Sequence, residues 1–391
     1  VLFLVEGFTD IRFVTGLSEI CDLTMMVPSR AYRESGLCDR VLQSGAKVRV
    51  TEIPGSRIGF QVRSLEALWR SVGEIDVILS QEVLRGSLNA TVVGRLRDIP
   101  VVTYMGISPL EYFRCRRERR QIGPVTAWAG ESVIRTLMTL NGRLASRCLA
   151  MGPYLRDVAA RSCPRSAIGL YYGVDVRYFR PVDENERVGL RQRLELPSDK
   201  FLITLSSRMS HEKDPETVLQ ATALARRGGL DAVVLNLGGG YRKFLDLASQ
   251  LGLGDVSPWV FGRPAVHPMN ELADYLRTTN VLAQASLSEG LGLSPLEALA
   301  CETPVVATAV GGMAAHLGPY AQLTPRRDAE AMARAFLSIA ANPDRARAQA
   351  RAGRAYVCRE WSREKAFNDL RHVLEDVVTI KPAIAPQQGG L

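Results

Sequence analysis

Short apolar runs alternate with longer segments whose apolar positions recur every three or four residues. In the first half the runs are VLFLV, LTMMV, AKVRV, VILS and PVVTYMG; in the second they are FLITLSS, AVVLNLGG, VSPWVFG, NVLAQAS and TPVVATA. Continuous Val/Ile/Leu runs separated by amphipathic segments predict parallel strands buried on both faces by helices. Two such series in tandem predict an α/β protein of two doubly wound, Rossmann-like domains. The periodicity lapses in GVDVRYFRPVDENE, which carries Pro181 and then a charge cluster, as a linker does. The first domain is therefore placed at 1–180 and the second at 186–361. A last helix is expected over 362–378, with Ser362 at its N-cap and Phe367, Leu370, Val373 and Leu374 on one face. The tail 379–391, rich in Pro, Gln and Gly, has nothing to pack and is expected to be disordered. No internal repeat of solenoid length is present.

A chain of 391 residues suits two cores rather than one. No stretch approaches the ~20 uninterrupted apolar residues of a bilayer-spanning helix. The opening VLFLVEGFTD carries Glu6 and Asp10 with no basic leader, so it reads as a buried strand rather than a signal peptide. Seven dispersed cysteines without a C-x-x-C pair suggest free, buried thiols in a reducing cytosol and no structural zinc. The net charge of +8 lies entirely in residues 1–180, and its densest part is Arg114-Cys115-Arg116-Arg117-Glu118-Arg119-Arg120. Such a run is either a solvated helix face or an attractor of anionic membrane, phosphorylated substrate or nucleic acid. We expect it near the interdomain cleft or on a membrane face, at the inner surface of a cytoplasmic membrane. Sparse aromatic interleaving ranks nucleic acid last.

Two segments carry chemistry. Ser288-Glu289-Gly290-Leu291-Gly292-Leu293 follows a strand and leads into a helix at Ser294-Pro295. Its glycines permit close backbone approach, and the free N–H groups of the next helix favour an anion. Glu289 and Glu297 can face one cleft and accept hydrogen bonds from vicinal hydroxyls of a ribose or hexose. Ser294-Pro295-Leu296-Glu297 is equally an S-x-x-E capping box, which would explain Glu297 locally. The second segment, Ser206 to Pro215, holds Arg208 and Lys213 at a strand's carboxyl end, before a helix capped by Asp214 and begun by Pro215. Two cations there suit a diphosphate, although exposed loop charges would look the same. His211 lies between them. Gly238-Gly239-Gly240 and Gly262-Arg263 end the next strands, the latter where a base could stack. His267, His316 and His372 are isolated, which leaves no zinc-ligand spacing.

These residues together resemble the retaining glycosyltransferases of family four, with the two-domain GT-B fold. E-G-L-G-L-S-P-L-E (Glu289 to Glu297) matches the family's E-x7-E motif, and CETPVVATAVGG matches the family's next segment. S-R-M-S-H-E-K-D matches G-R-x-x-x-E-K-G, GVDVRYFRP matches the linker, and REWSREKAFNDL matches the helix that crosses back to the first domain. The likeness is close from the linker onward and in outline only before it. It implies two domains facing each other across a cleft, and a sugar carried by a nucleoside diphosphate as co-substrate, with no metal or other cofactor. Glu297 would hold the ribose and Glu289 the sugar. Backbone N–H groups at Gly290, Leu291, Gly292 and Leu293, with Arg208 and Lys213, would hold the phosphates. Catalysis would rest on Glu289, Arg208 and Lys213, with retention of configuration as the donor's own phosphate oxygen deprotonates the acceptor hydroxyl. The absence of a D-x-D motif agrees with metal independence. The transferred group would be a hexosyl or N-acetylhexosaminyl unit, for glycoconjugate biosynthesis on a glycan, lipid-linked or small-molecule acceptor.

Departures fall on the acceptor side and around the sugar. Met105 stands where relatives often have histidine, Met313-Ala314-Ala315 where they have x-x-Glu, and Gly7 alone where a glycine pair is usual. A thioether is no substitute for imidazole as a hydrogen-bond partner. An alternative is therefore a nucleotide-sugar-binding regulatory partner with weak catalysis. A dinucleotide oxidoreductase is disfavoured, because VEGFTDIRF lacks G-x-G-x-x-G.

Overall fold

The computed structural model describes residues 1–7, 9–120, 123–266 and 269–379. The first sheet contains β1 (Leu2–Leu4), β2 (Leu23–Pro28), β3 (Val48–Ile53), β4 (Ile78–Ser80), β5 (Val101–Met105), β6 (Arg147–Ala150) and β7 (Ser166–Ile168). Its order is β3-β2-β1-β4-β5-β6-β7, and every pairing is parallel. The second sheet contains β8 (Phe201–Ser206), β9 (Ala232–Leu237), β10 (Val260–Arg263), β11 (Val281–Gln284), β12 (Val305–Thr308) and β13 (Gln322–Thr324). Its order is β10-β9-β8-β11-β12-β13, again all parallel. The doubly wound α/β reading is borne out. Strands β1, β5, β9, β11 and β12 are apolar runs without a polar face because helices cover them on both sides, and their side chains are buried accordingly.

Each sheet reverses its winding once, between β1 and β4 and between β8 and β11. Loops leaving the carboxyl ends of two such strands diverge to opposite sides and open a crevice there. The segments after β1 (Glu6 to Asp10) and β4 (Gln81 to Arg85) sit at the first reversal. Those after β8 (Ser207 to Asp214) and β11 (Ala285 to Leu293) sit at the second.

The last helix spans Arg363–Thr379, and Lys365 N donates to Ser362 Oγ at 3.2 Å, as the N-cap reading expected. Phe367 inserts where Gly16 leaves room, stacking at 6.2 Å from Phe13, while Leu370 and Leu374 are buried. The chain crosses between domains twice, and the crossings lie side by side. Val174 N donates to Trp361 O at 2.8 Å and Arg363 N to Val174 O at 2.9 Å, closing a parallel bridge. Among the described residues no helix is long and apolar enough to cross a membrane. All seven cysteines are free; four are buried, but Cys21 and Cys38 are only partly so and Cys358 is exposed, contrary to a uniformly buried set. Residues 380–391, which include most of the expected disordered tail, and His267 lie outside the described residues.

Candidate active site

The loops after β8 and β11 meet. Lys213 Nζ lies 2.5 Å from Glu289 Oε2. The same carboxylate oxygen receives Ser286 Oγ at 3.1 Å and Gln284 Nε2 at 3.3 Å, and both donors are buried at the end of β11. Glu289 is thus fixed by a cation and two neutral donors, so its geometry is set before any ligand arrives. Main-chain ties hold the loops together: Leu287 N donates to Glu212 O at 2.8 Å, and Ser294 Oγ to Ser206 O at 2.8 Å. Gly312 N donates to Glu289 O at 3.1 Å, and a Cβ on Gly312 would stand 1.9 Å from Gly290 O. The glycine pair after β12 is therefore the bed on which the loop lies. Among the described residues, the N–H groups of Gly290, Leu291 and Gly292 donate to nothing. Unsatisfied N–H groups ahead of the helix Leu293–Ala300 are an anion cradle.

Arg208 follows β8 with its guanidinium mostly exposed, and among the described residues it pairs only with Glu212, at 3.1 Å. Burial raises the Glu212 carboxyl, but hydrogen bonds from its own loop and the Arg208 charge bring it below its ordinary value. His211 Nε2 is buried and has no partner among the described residues. Asp214 does not cap its helix through the backbone; its carboxylate accepts from the Thr217 hydroxyl at 2.6 Å, and Pro215 begins the helix as expected.

Glu297 departs from the capping-box reading offered by its spacing. The helix starts at Leu293 with Gly292 in a left-handed conformation, and Ser294 donates elsewhere, so no capping box forms. Glu297 is instead 3% exposed, and its Oε1 lies 2.6 Å from Arg12 Nη1 in the first domain. Arg12 also pairs with Asp10 at 3.0 Å and donates to Tyr172 Oη at 2.6 Å, its guanidinium lying 4.0 Å over that ring. Burial drives the Glu297 carboxyl above its ordinary value, with Arg12 pulling against it. Burial acts on Asp10 too, but there the Arg12 charge and hydrogen bonds prevail and hold it low. Arg12, Asp10 and Tyr172 carried no sequence signal beyond Asp10's place after β1.

The remaining expected residues are scattered. Arg263 turns its guanidinium edge to Tyr275 Oη at 3.0 Å and to Glu195 O at 3.3 Å. Met105 is buried at the end of β5 and walls a cavity of about 570 Å3 with Tyr104 and Tyr112. Gly7 lines a larger cavity of about 1120 Å3 on the same side of the first sheet. The arginine run lies on the helix Pro109–Arg120 and is partly neutralised. Arg114 and Arg117 share Glu131 at 2.6 and 3.6 Å, and Glu118 meets Arg327 of the second domain at 2.7 Å. The same helix brings Glu111 to the loop after β11, where Ser288 Oγ lies 3.4 Å from it, and Tyr154 donates to it. His316 is largely buried, which lowers its pKa, with Nε2 2.9 Å from Leu291 O.

Residues 187–356 match the family model described as glycosyl transferases group 1. That segment, most of the second domain, is similar to this family. The family-four resemblance is thereby borne out, and curated relatives agree. The D-inositol 3-phosphate glycosyltransferase 1 of Catenulispora acidiphila is 31% identical over 258 residues, 62% of this chain and 58% of that protein. The D-inositol 3-phosphate glycosyltransferase of Streptomyces coelicolor is 35% identical over 204 residues, 46% of this chain and 44% of the relative. The chain thus spans about half the length of these group 1 relatives. Among solved structures, Anabaena Alr3699/HepE in complex with UDP-glucose superposes with a TM-score of 0.76 over 96% of this chain and 99% of its own, at 16% identity. WaaG, a glycosyltransferase involved in lipopolysaccharide biosynthesis, superposes at 0.69 over 98% and 99%, at 13% identity. The fold is that of the GT-B glycosyltransferases.

Proposed function

We propose that this chain is a retaining, metal-independent glycosyltransferase that moves a sugar from a nucleoside diphosphate to an acceptor hydroxyl. The observation that carries the reading is the convergence of Lys213, Glu289 and the undonated N–H groups of Gly290, Leu291 and Gly292, with Arg208 exposed beside them. A pyrophosphate laid on the N–H groups brings its charge to the two cations, which stabilise it as it grows on the leaving group. The sugar then faces Glu289 and the first domain. A donor phosphate oxygen takes the acceptor proton on the face from which the bond breaks, which preserves the anomeric configuration. Among the relatives, Alr3699/HepE is solved with UDP and with UDP-glucose, which makes a uridine donor the first to try.

The test is a thermal-shift panel of nucleoside diphosphates in chelator, followed by donor turnover and the anomeric configuration of the product. One diphosphate should raise Tm by linkage, and Lys213→Ala should remove the shift. A flat panel rejects the reading, and turnover that stops in chelator rejects metal independence. The second reading, a regulatory nucleotide-sugar binder of the same fold, draws on Met105 and Ala315 and on the engagement of Glu297 by Arg12; measurable donor hydrolysis eliminates it. We place the enzyme on the cytoplasmic side, with peripheral contact to anionic membrane. Support comes from the basic first half and from Val125 (77% exposed) and Trp128 (72% exposed) on the helix after the arginine run. Vesicle sedimentation that depends on neither lipid charge nor salt would remove that contact.

A further inference from the structure

The loops that carry Lys213 and Glu289 leave the carboxyl edge of the second sheet. At its opposite, amino edge two neighbouring cavities of about 380 and 280 Å3 open beside the linker. They share Glu184, Arg187, Phe201 and Asn280, so they form one groove. Phe201 begins β8, Asn280 precedes β11 and Pro304 precedes β12, while Pro181 of the linker closes one side. β8 alone runs six residues, roughly 20 Å, between this groove and the loop of Arg208. The groove is therefore separate from the cradle at Gly290, Leu291 and Gly292. Its larger part alone has the volume of a small-molecule site.

Around the larger cavity four arginines face two glutamates. Arg277 is already committed: it pairs with Asp274 and donates to Tyr178 O and Arg180 O of the linker. Arg187, Arg347 and Arg351 remain. Arg187, on the helix Glu184–Arg193, keeps only 15% of its side chain exposed. Yet among the described residues its acceptors are Thr278 O at 3.5 Å and Glu184 Oε2 at 3.6 Å. A charge-assisted hydrogen bond closes to about 2.7–2.9 Å, so neither acceptor satisfies it. Burial lowers the Arg187 pKa; Glu184 offsets this only in part, and Arg347 adds to it. Arg347, from the helix Pro343–Glu360, faces the same Glu184 oxygen from 3.9 Å. Arg351, one turn further on, reaches Glu302 at 3.5 Å. A buried guanidinium without a close acceptor is costly. One carboxylate oxygen thus stands between two guanidiniums without bonding closely to either, and it marks where an anion belongs. The Glu184 side chain is 67% exposed and can swing into water.

We infer that this groove is a second ligand site, for a phosphate-bearing molecule, apart from the site where the sugar is transferred. A phosphate seated between Arg187 and Arg347 displaces Glu184 and brings its oxygens within hydrogen-bond reach of both forks, with Arg351 on the outer side. A phosphate suits the place better than a lone carboxylate. It offers three acceptor oxygens and −1.5 to −2 of charge to guanidiniums that converge from two helices. The rest of the molecule lies against Phe201 and Pro304. Asn280 Nδ2, which donates to nothing among the described residues, faces the same space, its Oδ1 being taken by Arg191 and Leu202 N. Because Pro181 and Val182 form part of the wall, the ligand rests on the linker and not on any reacting group. The site goes beyond glycosyl transfer and does not depend on it.

The test titrates inorganic phosphate and phenyl phosphate into the full chain at constant ionic strength, reading Tm and calorimetric heat. Each titration is run with and without saturating nucleoside diphosphate, and again in Lys213→Ala. Saturable binding should survive in all three. Tighter binding of phenyl phosphate marks an organic ester as the ligand and equal binding the free anion; either supports the site. Arg347→Gln should weaken binding by at least about tenfold, as the loss of a charge-assisted hydrogen bond does. Arg351→Gln should weaken it less. Both side chains are more than half exposed, so the variants should fold. Glu184→Gln should tighten binding, because the competing carboxylate is gone, a gain that a merely structural role for Glu184 would not give. Arg345→Gln, on the same helix but outside the lining, should bind as the wild type does. Absence of saturable binding, its loss in Lys213→Ala or under nucleoside diphosphate, or equal weakening by Arg345→Gln and Arg347→Gln overturns the inference. Weaker binding in Glu184→Gln overturns it as well.

Discussion

At the scale of single residues, two carboxyl groups are held away from their ordinary behaviour for different reasons. Glu82 is pushed up to about 7 by burial and by Glu6, against the pull of Arg85. Its folded pKa exceeds its unfolded one, so the folded state binds the extra proton and stability falls as pH rises through the interval between them. Glu82→Gln should therefore gain on the wild type as pH goes from 5 to 8, by on the order of 1–3 kcal/mol. Denaturant titrations at both pH values read this directly, and a constant difference contradicts it. Glu297 is the other case. Removing Arg12 leaves a buried carboxylate facing Asp10 with no cation, so Arg12→Met should cost about 3–5 kcal/mol. The double variant Arg12→Met, Glu297→Met should recover much of that loss. If Glu297 also holds the donor ribose, Arg12→Met should tighten nucleoside diphosphate binding even as it destabilises the chain, because the competitor is gone. Calorimetric titration with the diphosphate checks the sign.

At the scale of elements, the order of strands was readable wherever burial on both faces wrote a continuous apolar run. Strands β6, β7 and β13 left no such run: RCLA, SAI and QLT are short and mix polar with apolar residues. They are recruited by pairing with neighbours already in place, which is a property of the sheet and not of the segment. The meeting of the loops after β8 and β11 was legible because their requirements are local: two glycines, a helix start and cations after one strand. The engagement of Glu297 by Arg12 was not legible because the two lie 285 positions apart, and neither capping geometry nor spacing carries that information. Glu82 escaped notice for the same reason, since its importance depends on Glu6 and on a cavity assembled from four strands. The elements also fix where substitution fails. A Cβ on Gly16 would stand 1.9 Å from the Phe367 ring, so Gly16→Ala should dislodge the last helix and lower stability by about 1–3 kcal/mol. Gly16→Ala with Phe367→Leu should recover part of it. On Gly312 the obstacle is a backbone oxygen that cannot turn aside. Gly312→Ala should therefore abolish the nucleoside diphosphate thermal shift, while Gly36→Ala, with open space around it, costs only the strain of its left-handed backbone and keeps the shift.

At the scale of the whole molecule, side-chain links between the domains include Arg12 to Glu297, Glu118 to Arg327, Glu111 to Ser288 and, beside the linker, Arg277 to Tyr178 O and Arg354 to Phe179 O. The Arg12–Glu297 pair is buried, whereas Glu118–Arg327 lies at the surface, where solvent can replace it at little net cost. The two covalent crossings are a different kind of connection. Val174 and Ser362 lock them together through paired main-chain hydrogen bonds, with Phe367 seated against Gly16 just beyond. Two strands of chain fastened at one point behave as an axle: the halves can swing about it but cannot slide past each other. Fluorescent labels placed across the mouth of the cleft should change separation when a nucleoside diphosphate is added, while labels flanking residues 174 and 362 should not. Sugar transfer would then be timed by a rotation whose pivot was threaded when the chain folded, far from the atoms that react.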